Sequence, residues 1–160
     1  MRYFLIDRIT EVVPGVSIRG LKNVTLSDET LHDHFPYLPV FPAALLIEAA
    51  AQLGGALLEF TVNANGSGAP PRRALLVQVD RAKFLRLIEP GDQIAIEARL
   101  DSRMEATARV SAEARVEGEV AGRMVLTFVL REVPWERIHE QRRRLYRLWT
   151  RNMAEAPVIR

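Results

Sequence analysis

The run from Ala43 to Phe60 constrains the fold of this chain most, because it is apolar on nearly every side when it is drawn as a helix. A helix with one apolar stripe lies on a surface, whereas a helix that is apolar all round has to be enclosed by other structure. Pro42 precedes the run, and proline suits the first turn of a helix because its missing N–H costs no hydrogen bond there. The run therefore predicts a central helix that begins near Pro42.

Neither this run nor the N-terminus has the pattern of a membrane or secretory segment. The most apolar part, Ala43 to Leu58, is shorter than the ~20 residues that a membrane span needs, and it contains Glu48 and Gln52. The N-terminus reaches the charged Asp7 before an apolar signal region can form. We therefore expect a core helix, no membrane span and no signal peptide.

The segments on either side of the helix are predicted to be strands. Tyr3 to Val13 and Val16 to Thr25 are rich in β-branched and aromatic residues, and Pro14-Gly15 between them indicates a hairpin turn. Four strand-like runs follow the helix: Ala74 to Phe84, Gln93 to Ser102, Thr107 to Val116 and Gly122 to Glu132. A hairpin, a buried helix and a strand meander together predict an α+β domain in which an antiparallel sheet wraps one helix.

The chain changes character after Pro134. Trp135 to Met153 combines many arginines with apolar residues at roughly helical spacing, namely Trp135, Ile138, Leu145, Leu148 and Trp149. This pattern predicts a basic amphipathic helix. Its arginines either form the solvated face of a packed helix or attract an acidic partner through a long-range field that salt weakens.

Composition excludes several classes of function. The chain has 160 residues, no cysteine and a net charge of +2, so it has one domain's length, no thiol chemistry and too little charge to indicate nucleic-acid binding by itself. Its three histidines, His32, His34 and His139, do not complete a metal ligand set. No glycine-rich phosphate loop and no Gly-x-Ser-x-Gly elbow is present. We expect neither a metal nor a cofactor, and a cytoplasmic location.

One pair of side chains suits proton transfer. His34 precedes a proline-rich turn, and an imidazole exchanges a proton near neutral pH. Glu48 lies fourteen residues later within the apolar helix, where Leu45, Ile47 and Ala49 are its neighbours. We expect these neighbours to limit its solvation, which would raise the pKa of a carboxyl group toward a range that suits a general acid.

The segment around this pair resembles the active-site segment of the β-hydroxyacyl-[acyl carrier protein] dehydratases. The residues that carry the resemblance are His-Phe-Pro at 34–36, Phe-Pro at 41–42 and Glu-Ala-x-Ala-Gln at 48–52. Further similarity extends over roughly residues 3–133, including Asp80 to Phe84 and Glu89-Pro90-Gly91-Asp92. The resemblance implies the hotdog fold for a domain over 1–134. The basic amphipathic C-terminal helix and tail over 135–160 lie outside the family core and are predicted from the residues alone.

The same resemblance implies a mechanism and an assembly. His34 would remove the α-proton of a 3-hydroxyacyl thioester, and Glu48 would protonate the departing hydroxyl. The backbone N–H groups of Ala43 and Ala44 would stabilise charge on the thioester oxygen. Gln52 and Val40 would support the site. The family builds this site across a homodimer, with the His of one chain facing the acid of the other, and acts on acyl chains carried by an acyl carrier protein.

Two alternatives accompany this interpretation. In a hotdog thioesterase, Glu48 would activate water for attack on the thioester carbonyl. In the other alternative, the chain is a catalytically weak acyl-binding subunit that pairs with an active homologue. The chain departs from the family pattern at Asp33, Tyr37 and Ala43, which stand where the family commonly has glycine.

Overall fold

The computed structural model describes residues 4–31, 35, 37–64 and 70–157. Six strands and two helices of these residues position the site. Their bounds are β1 Arg8–Val13, β2 Ser17–Asn23, α1 Ala43–Val62, β3 Arg72–Phe84, β4 Gln93–Arg103, β5 Thr107–Val116, β6 Glu119–Glu132 and α2 Glu136–Trp149.

The six strands form one antiparallel sheet in the order β1-β2-β4-β5-β6-β3. The predicted hairpin between β1 and β2 and the predicted meander are both confirmed. Glu117 and Gly118 connect β5 to β6 with φ angles of 52° and 83°. A two-residue turn with two positive φ angles matches the right-handed twist of the strands that it joins, which explains why the pattern around Gly118 forms a tight hairpin.

Helix α1 packs across one face of this sheet, as its apolar sequence predicts. It begins after Pro42, which is its N-cap residue. Its buried residues run from Leu46 to Phe60 and contact a sheet face made by alternate strand positions, because successive strand side chains point to opposite faces. The sheet contributes Ile9, Ile18, Ile94, Ile96, Val110, Leu126 and Phe128 to this core.

The expectation that the apolar run is too short to span a membrane was wrong. Helix α1 has 20 residues and is long and apolar enough for a span by length and composition alone. However, 67% of its most apolar window is buried inside the fold, which is typical of the core helix of a globular domain. The burial of α1 against the sheet identifies it as a core helix, whereas its length does not.

Strand β3 lies at one edge of the sheet, and among the described residues it pairs with β6 alone. All the residues from Leu75 to Arg81 are exposed in the single chain. Four of them are apolar, namely Leu75, Leu76, Val77 and Val79. A long apolar edge strand is a ready template for pairing with another strand, so this edge is a candidate interface.

Helix α2 confirms the predicted C-terminal helix, but the predicted apolar face was partly wrong. Trp149 is buried as expected, whereas Trp135 is 65% exposed and Leu148 is also exposed. The buried face instead contains His139 and Tyr146. The helix is rotated toward these residues because both bind polar side chains in the core. Tyr146 also packs against Phe60 in a tilted arrangement with ring centroids 4.8 Å apart.

Candidate active site

Glu48 lies on α1 with its side chain held in one orientation. The Nε2 amide of Gln52, one turn further along, donates a hydrogen bond of 2.9 Å to Glu48 Oε1. The Oε1 atom of Gln52 accepts a hydrogen bond of 3.0 Å from the backbone N–H of Leu5. The two hydrogen bonds link the carboxylate through Gln52 to the N-terminal segment at Leu5.

The enclosure of Glu48 that its sequence neighbours suggested is absent in the single chain, where Glu48 is exposed. Ala49, the next residue, points into the core instead. Adjacent residues on a helix project about 100° apart, so an apolar residue next to Glu48 in sequence does not cover the Glu48 side chain. The described residues of the single chain therefore leave Glu48 open to solvent.

The start of α1 offers two backbone donors close to Glu48. Ala43 and Ala44 are exposed, and Ala44 lies one turn before Glu48 on the same face of the helix. The next two N–H groups, of Leu45 and Leu46, already donate to the carbonyl of Pro42. Among the described residues, no acceptor is bonded to the N–H of Ala43 or Ala44, and such groups at a helix N-terminus attract negative charge.

His34 lies outside the described residues, together with His32 and Asp33. Tyr37 is described and is fully exposed, with a φ of 82° in the region that favours glycine. This backbone conformation is the physical reason why glycine would suit the position. Val40, which is also predicted to support the site, is buried.

A cavity of about 210 Å³ runs beside α1 from Glu48 to helix α2. Glu48 and Gln52 lie at one end, and Glu59, Arg142 and Tyr146 lie at the other. The walls between the two ends are apolar, and they are formed by Ala51, Gly55, Ala74, Leu75, Leu76 and Phe128. The cavity is therefore polar at both ends, and its apolar middle suits an alkyl chain.

The far end of the cavity contains a buried polar network that the sequence analysis missed. Glu59 is 2% exposed, and its Oε2 atom accepts hydrogen bonds of 2.8 Å from Arg73 Nη1 and from the Tyr146 hydroxyl. Its Oε1 atom accepts a bond of 3.2 Å from the backbone N–H of Ala74. Arg142 Nε is 4.0 Å from the same oxygen. The network joins α1, β3 and α2.

His139 extends this network through both of its ring nitrogens. Its Nδ1 atom is 2.6 Å from Arg73 Nη2, which can only donate, so Nδ1 accepts. Its Nε2 atom therefore carries the proton and donates to the carbonyl of Val133 at 2.7 Å. Both ring nitrogens are occupied, so His139 anchors α2 to the sheet and is not placed to hold a metal.

Tyr146 has a perturbed pKa in this network. Burial, reinforced by the nearby Glu59 carboxylate, raises the pKa of Tyr146 well above its ordinary value of 10.0. A phenol whose folded pKa is raised contributes stability that is present below its unfolded pKa and is lost as pH rises. Tyr146 consequently acts as a neutral donor to Glu59 over the whole neutral range.

The substitution Tyr146→Phe tests this assignment. We expect it to lower the free energy of unfolding by about 1–3 kcal/mol at neutral pH, since one bond to a charged acceptor is lost. The difference from wild type should shrink above pH ~10, because only the wild-type unfolded chain can then ionise this tyrosine. Tyr37→Phe, at a fully exposed tyrosine, is the control and should change stability little at either pH. A difference that stays constant with pH would contradict the assignment.

One sequence signal could have identified Glu59. It is eleven residues after Glu48, and eleven steps of about 100° return to nearly the same helix face. Gln52 and Gly55 lie between them on that face. The polar stripe is therefore visible in the sequence, whereas its partners Arg73 and Tyr146 are not, because they belong to other elements.

Family and sequence comparisons agree with this geometry. Residues 1–128 match the model of the FabA-like domain. A 3-hydroxyacyl-[acyl-carrier-protein] dehydratase FabZ from Shewanella baltica is 39% identical over 100 residues, which are 61% of this chain and 63% of that protein. The enzyme of the same name from Rickettsia africae is 35% identical over 101 residues, 63% of this chain and 67% of that protein. The Shewanella match thus spans less than two thirds of that relative's length.

Solved structures show the same fold at low sequence identity. A Streptococcus mutans protein bound to acetyl-CoA superposes with a TM-score of 0.64 at 15% identity and covers 82% of this chain and 94% of its own. A thioesterase from Haemophilus influenzae superposes with a TM-score of 0.60 at 12% identity and covers 78% of each chain. The hotdog architecture with a long central helix, which the sequence resemblance implies, is confirmed.

Proposed function

The chain belongs to the FabA-like family, and from this membership we propose that it dehydrates 3-hydroxyacyl thioesters to trans-2-enoyl thioesters and water. One structural observation carries the proposal beyond family membership. The carboxylate of Glu48 is oriented by Gln52 one turn after a helix N-terminus whose first two N–H groups donate to no partner among the described residues. A carboxyl group one turn after two backbone donors would supply the acid and the oxyanion site of the reaction.

The reaction that suits this arrangement is an elimination. His34 would take the proton from the α-carbon, and the electrons of that C–H bond would form the double bond to the β-carbon. The C–O bond at the β-carbon would break as protonated Glu48 delivers its proton, so that water leaves. Negative charge that develops on the thioester oxygen would be stabilised by the N–H groups of Ala43 and Ala44. Exchange of protons with solvent then restores both groups.

A second copy of the chain would complete the site. Glu48 is exposed in the single chain, and the apolar edge strand β3 borders the cavity beside it through Leu75 and Leu76. Pairing of two β3 strands would bury four apolar side chains and satisfy the free edge. We propose a homodimer, or an assembly of such dimers, in which the His34 of one copy meets the Glu48 of the other.

The interface can be tested with one charged substitution on β3. Val77 is 57% exposed on this strand, and Val77→Arg would place a cation in the proposed interface. We expect a monomer by light scattering and loss of most activity. Val13→Arg is the matched control, because Val13 is 41% exposed on β1 at the opposite edge of the sheet. An active monomeric wild type, or a Val77→Arg variant that remains dimeric, would contradict the proposed interface.

The proposed substrate is an acyl chain linked through phosphopantetheine to an acyl carrier protein, as in fatty-acid or related lipid synthesis in the cytoplasm. The names of the Shewanella and Rickettsia enzymes, which specify an acyl carrier protein, support this carrier. Helix α2 presents the exposed cations Arg144 and Arg147, which would attract an acidic carrier at low salt.

One assay separates dehydration from thioester hydrolysis. The pure protein is incubated with 3-hydroxyacyl and with trans-2-enoyl pantetheine thioesters, and both enoyl absorbance and free thiol are followed. We expect the enoyl signal to approach the same equilibrium from either substrate without release of thiol. Thiol release would identify a thioesterase, and absence of both signals would identify a binding subunit without its own activity.

A further inference from the structure

A second apolar groove lies on the outer side of helix α2. It has a volume of about 740 Å³, and its described lining consists of Phe4, Ile138, Gln141, Arg142, Arg144, Leu145 and Leu148. Phe4 and Leu148 are about half exposed there. Arg142 is the one described residue that lines both this outer groove and the cavity beside α1. Its side chain therefore forms the wall between the two spaces.

We propose that Arg142 sets the maximum length of the acyl chain that the protein accepts, by closing the far end of the cavity beside α1. This inference rests on the proposed function. If the thioester oxygen lies at Ala43 and Ala44 and the 3-hydroxyl lies at Glu48, the carbons beyond the hydroxyl extend along the apolar walls. From Glu48 to Glu59 the helix rises about 16 Å, and Arg142 stands at the end of that path.

The chemistry of the closed end defines the substrate class. An alkyl chain gains about fourfold in binding for each methylene that leaves water. This gain ends at Arg142, because an alkyl terminus cannot hydrogen-bond a guanidinium and would strip water from it. The cavity thus fits 3-hydroxyacyl thioesters whose chains end before α2, and it disfavours longer chains.

Among the side chains at the far end of the cavity, that of Arg142 can be truncated without damage to the fold. Its side chain is 36% exposed, and its nearest approach to Glu59 is 4.0 Å. Arg73 and Tyr146 already hold Glu59 through bonds of 2.8 Å. Truncation of Arg142 should therefore open the wall while the buried network stays in place.

The main test compares short and long substrates in Arg142→Ala. Turnover is measured with pantetheine thioesters of 3-hydroxybutanoate and 3-hydroxydodecanoate, so that no carrier protein contributes. We expect the ratio of kcat/KM for the long over the short substrate to rise by about tenfold or more, as two or more methylenes enter the outer groove. Arg144→Ala removes the same side chain from the outer groove alone and should leave the ratio unchanged. Arg142→Lys, which keeps most of the side-chain length and the positive charge, should stay closer to wild type than Arg142→Ala.

A substitution inside the cavity should act in the opposite direction. A Cβ atom at Gly55 would lie 3.8 Å from Ala74 Cβ and 3.9 Å from Phe128 Cε1, which are ordinary contact distances. Gly55→Ala therefore fits the fold but narrows the cavity midway, and it should lower the long-to-short ratio. Gly54→Ala is not an equivalent control, because its Cβ would lie 3.2 Å from Val110 Cγ1 in the core.

A binding measurement separates this inference from the proposed function. S-butyl and S-dodecyl pantetheine are thioethers that cannot react, and their affinities for wild type and Arg142→Ala are compared by calorimetry. A gain in affinity confined to the dodecyl thioether and to Arg142→Ala supports the closure, even if no thioester is dehydrated and the proposed function fails. The same long-to-short ratio in both proteins, in binding and in turnover, would overturn the inference while leaving dehydration intact.

Discussion

Glu48→Gln is expected to slow the dehydration of a 3-hydroxyacyl thioester by about 100-fold or more, because the amide cannot deliver the proton that the departing hydroxyl needs. The substitution should leave the fold intact. Glu48 is exposed, and the amide oxygen of glutamine can still accept the hydrogen bond from Gln52. We therefore expect a melting temperature close to that of wild type, measured on the same preparation. Near wild-type turnover in this variant would eliminate Glu48 as the acid.

The variant His34→Ala, combined with Glu48→Gln, tests whether two chains share one active site. It should also lose activity by about 100-fold or more, because the base is removed. When the two inactive variants are mixed under conditions in which subunits exchange, a hybrid dimer would contain one site with both His34 and Glu48. Recovery of part of the activity is expected. Failure to recover activity although exchange is shown by a tagged subunit would contradict a site shared between chains.

Arg73→Met is expected to lower the free energy of unfolding by about 3–5 kcal/mol, because it leaves the Glu59 carboxylate without its buried cation. Arg73 is 3% exposed and Glu59 is 2% exposed, so water cannot replace the lost charge. Urea denaturation followed by circular dichroism measures the change. Arg72→Met is the matched control on the same strand, since Arg72 Nη1 donates a hydrogen bond to the exposed carbonyl of Glu105, and it should cost much less.

The single variant Glu59→Leu and the double variant Glu59→Leu/Arg73→Met complete a double-mutant cycle with Arg73→Met. Removal of both charges should recover part of the loss, because the unpaired carboxylate is gone. Recovery should be incomplete, since the Tyr146 hydroxyl and the Ala74 N–H then lose their acceptor. Losses that simply add would show that Glu59 and Arg73 do not interact in the folded protein.

Local signals predicted most of the secondary structure. The period-two alternation from Thr107 to Val116 predicted a strand with the bounds that β5 has. Pro42 marked the start of α1, and Pro14-Gly15 marked the first hairpin. These predictions succeed because helix caps, turns and strand alternation depend on residues a few positions apart. The roles of His34 and Glu48 stay predictions, and so does the division of the chain at residue 134.

Long-range partners explain what the sequence analysis missed. Glu59 accepts hydrogen bonds from Arg73, which is fourteen residues away in sequence, and from Tyr146, which is eighty-seven residues away. No local pattern connects these positions. The buried face of α2 was partly mispredicted for the same reason. The apolar pattern predicted that Trp135 and Leu148 are buried, whereas contacts with buried polar groups place His139 and Tyr146 on the buried face.

The two glutamates of α1 separate what is encoded locally from what depends on the whole fold. The amino-acid sequence alone places Glu48 and Glu59 on one face of an apolar helix, because helical periodicity depends only on their spacing. It also indicates, through the surrounding motif, which family the chain resembles. The folded chain is needed to show that Glu48 is exposed and held by Gln52, whereas Glu59 is buried against Arg73 and Tyr146. The burial of a charge depends on what packs against it, and that partner comes from distant parts of the chain.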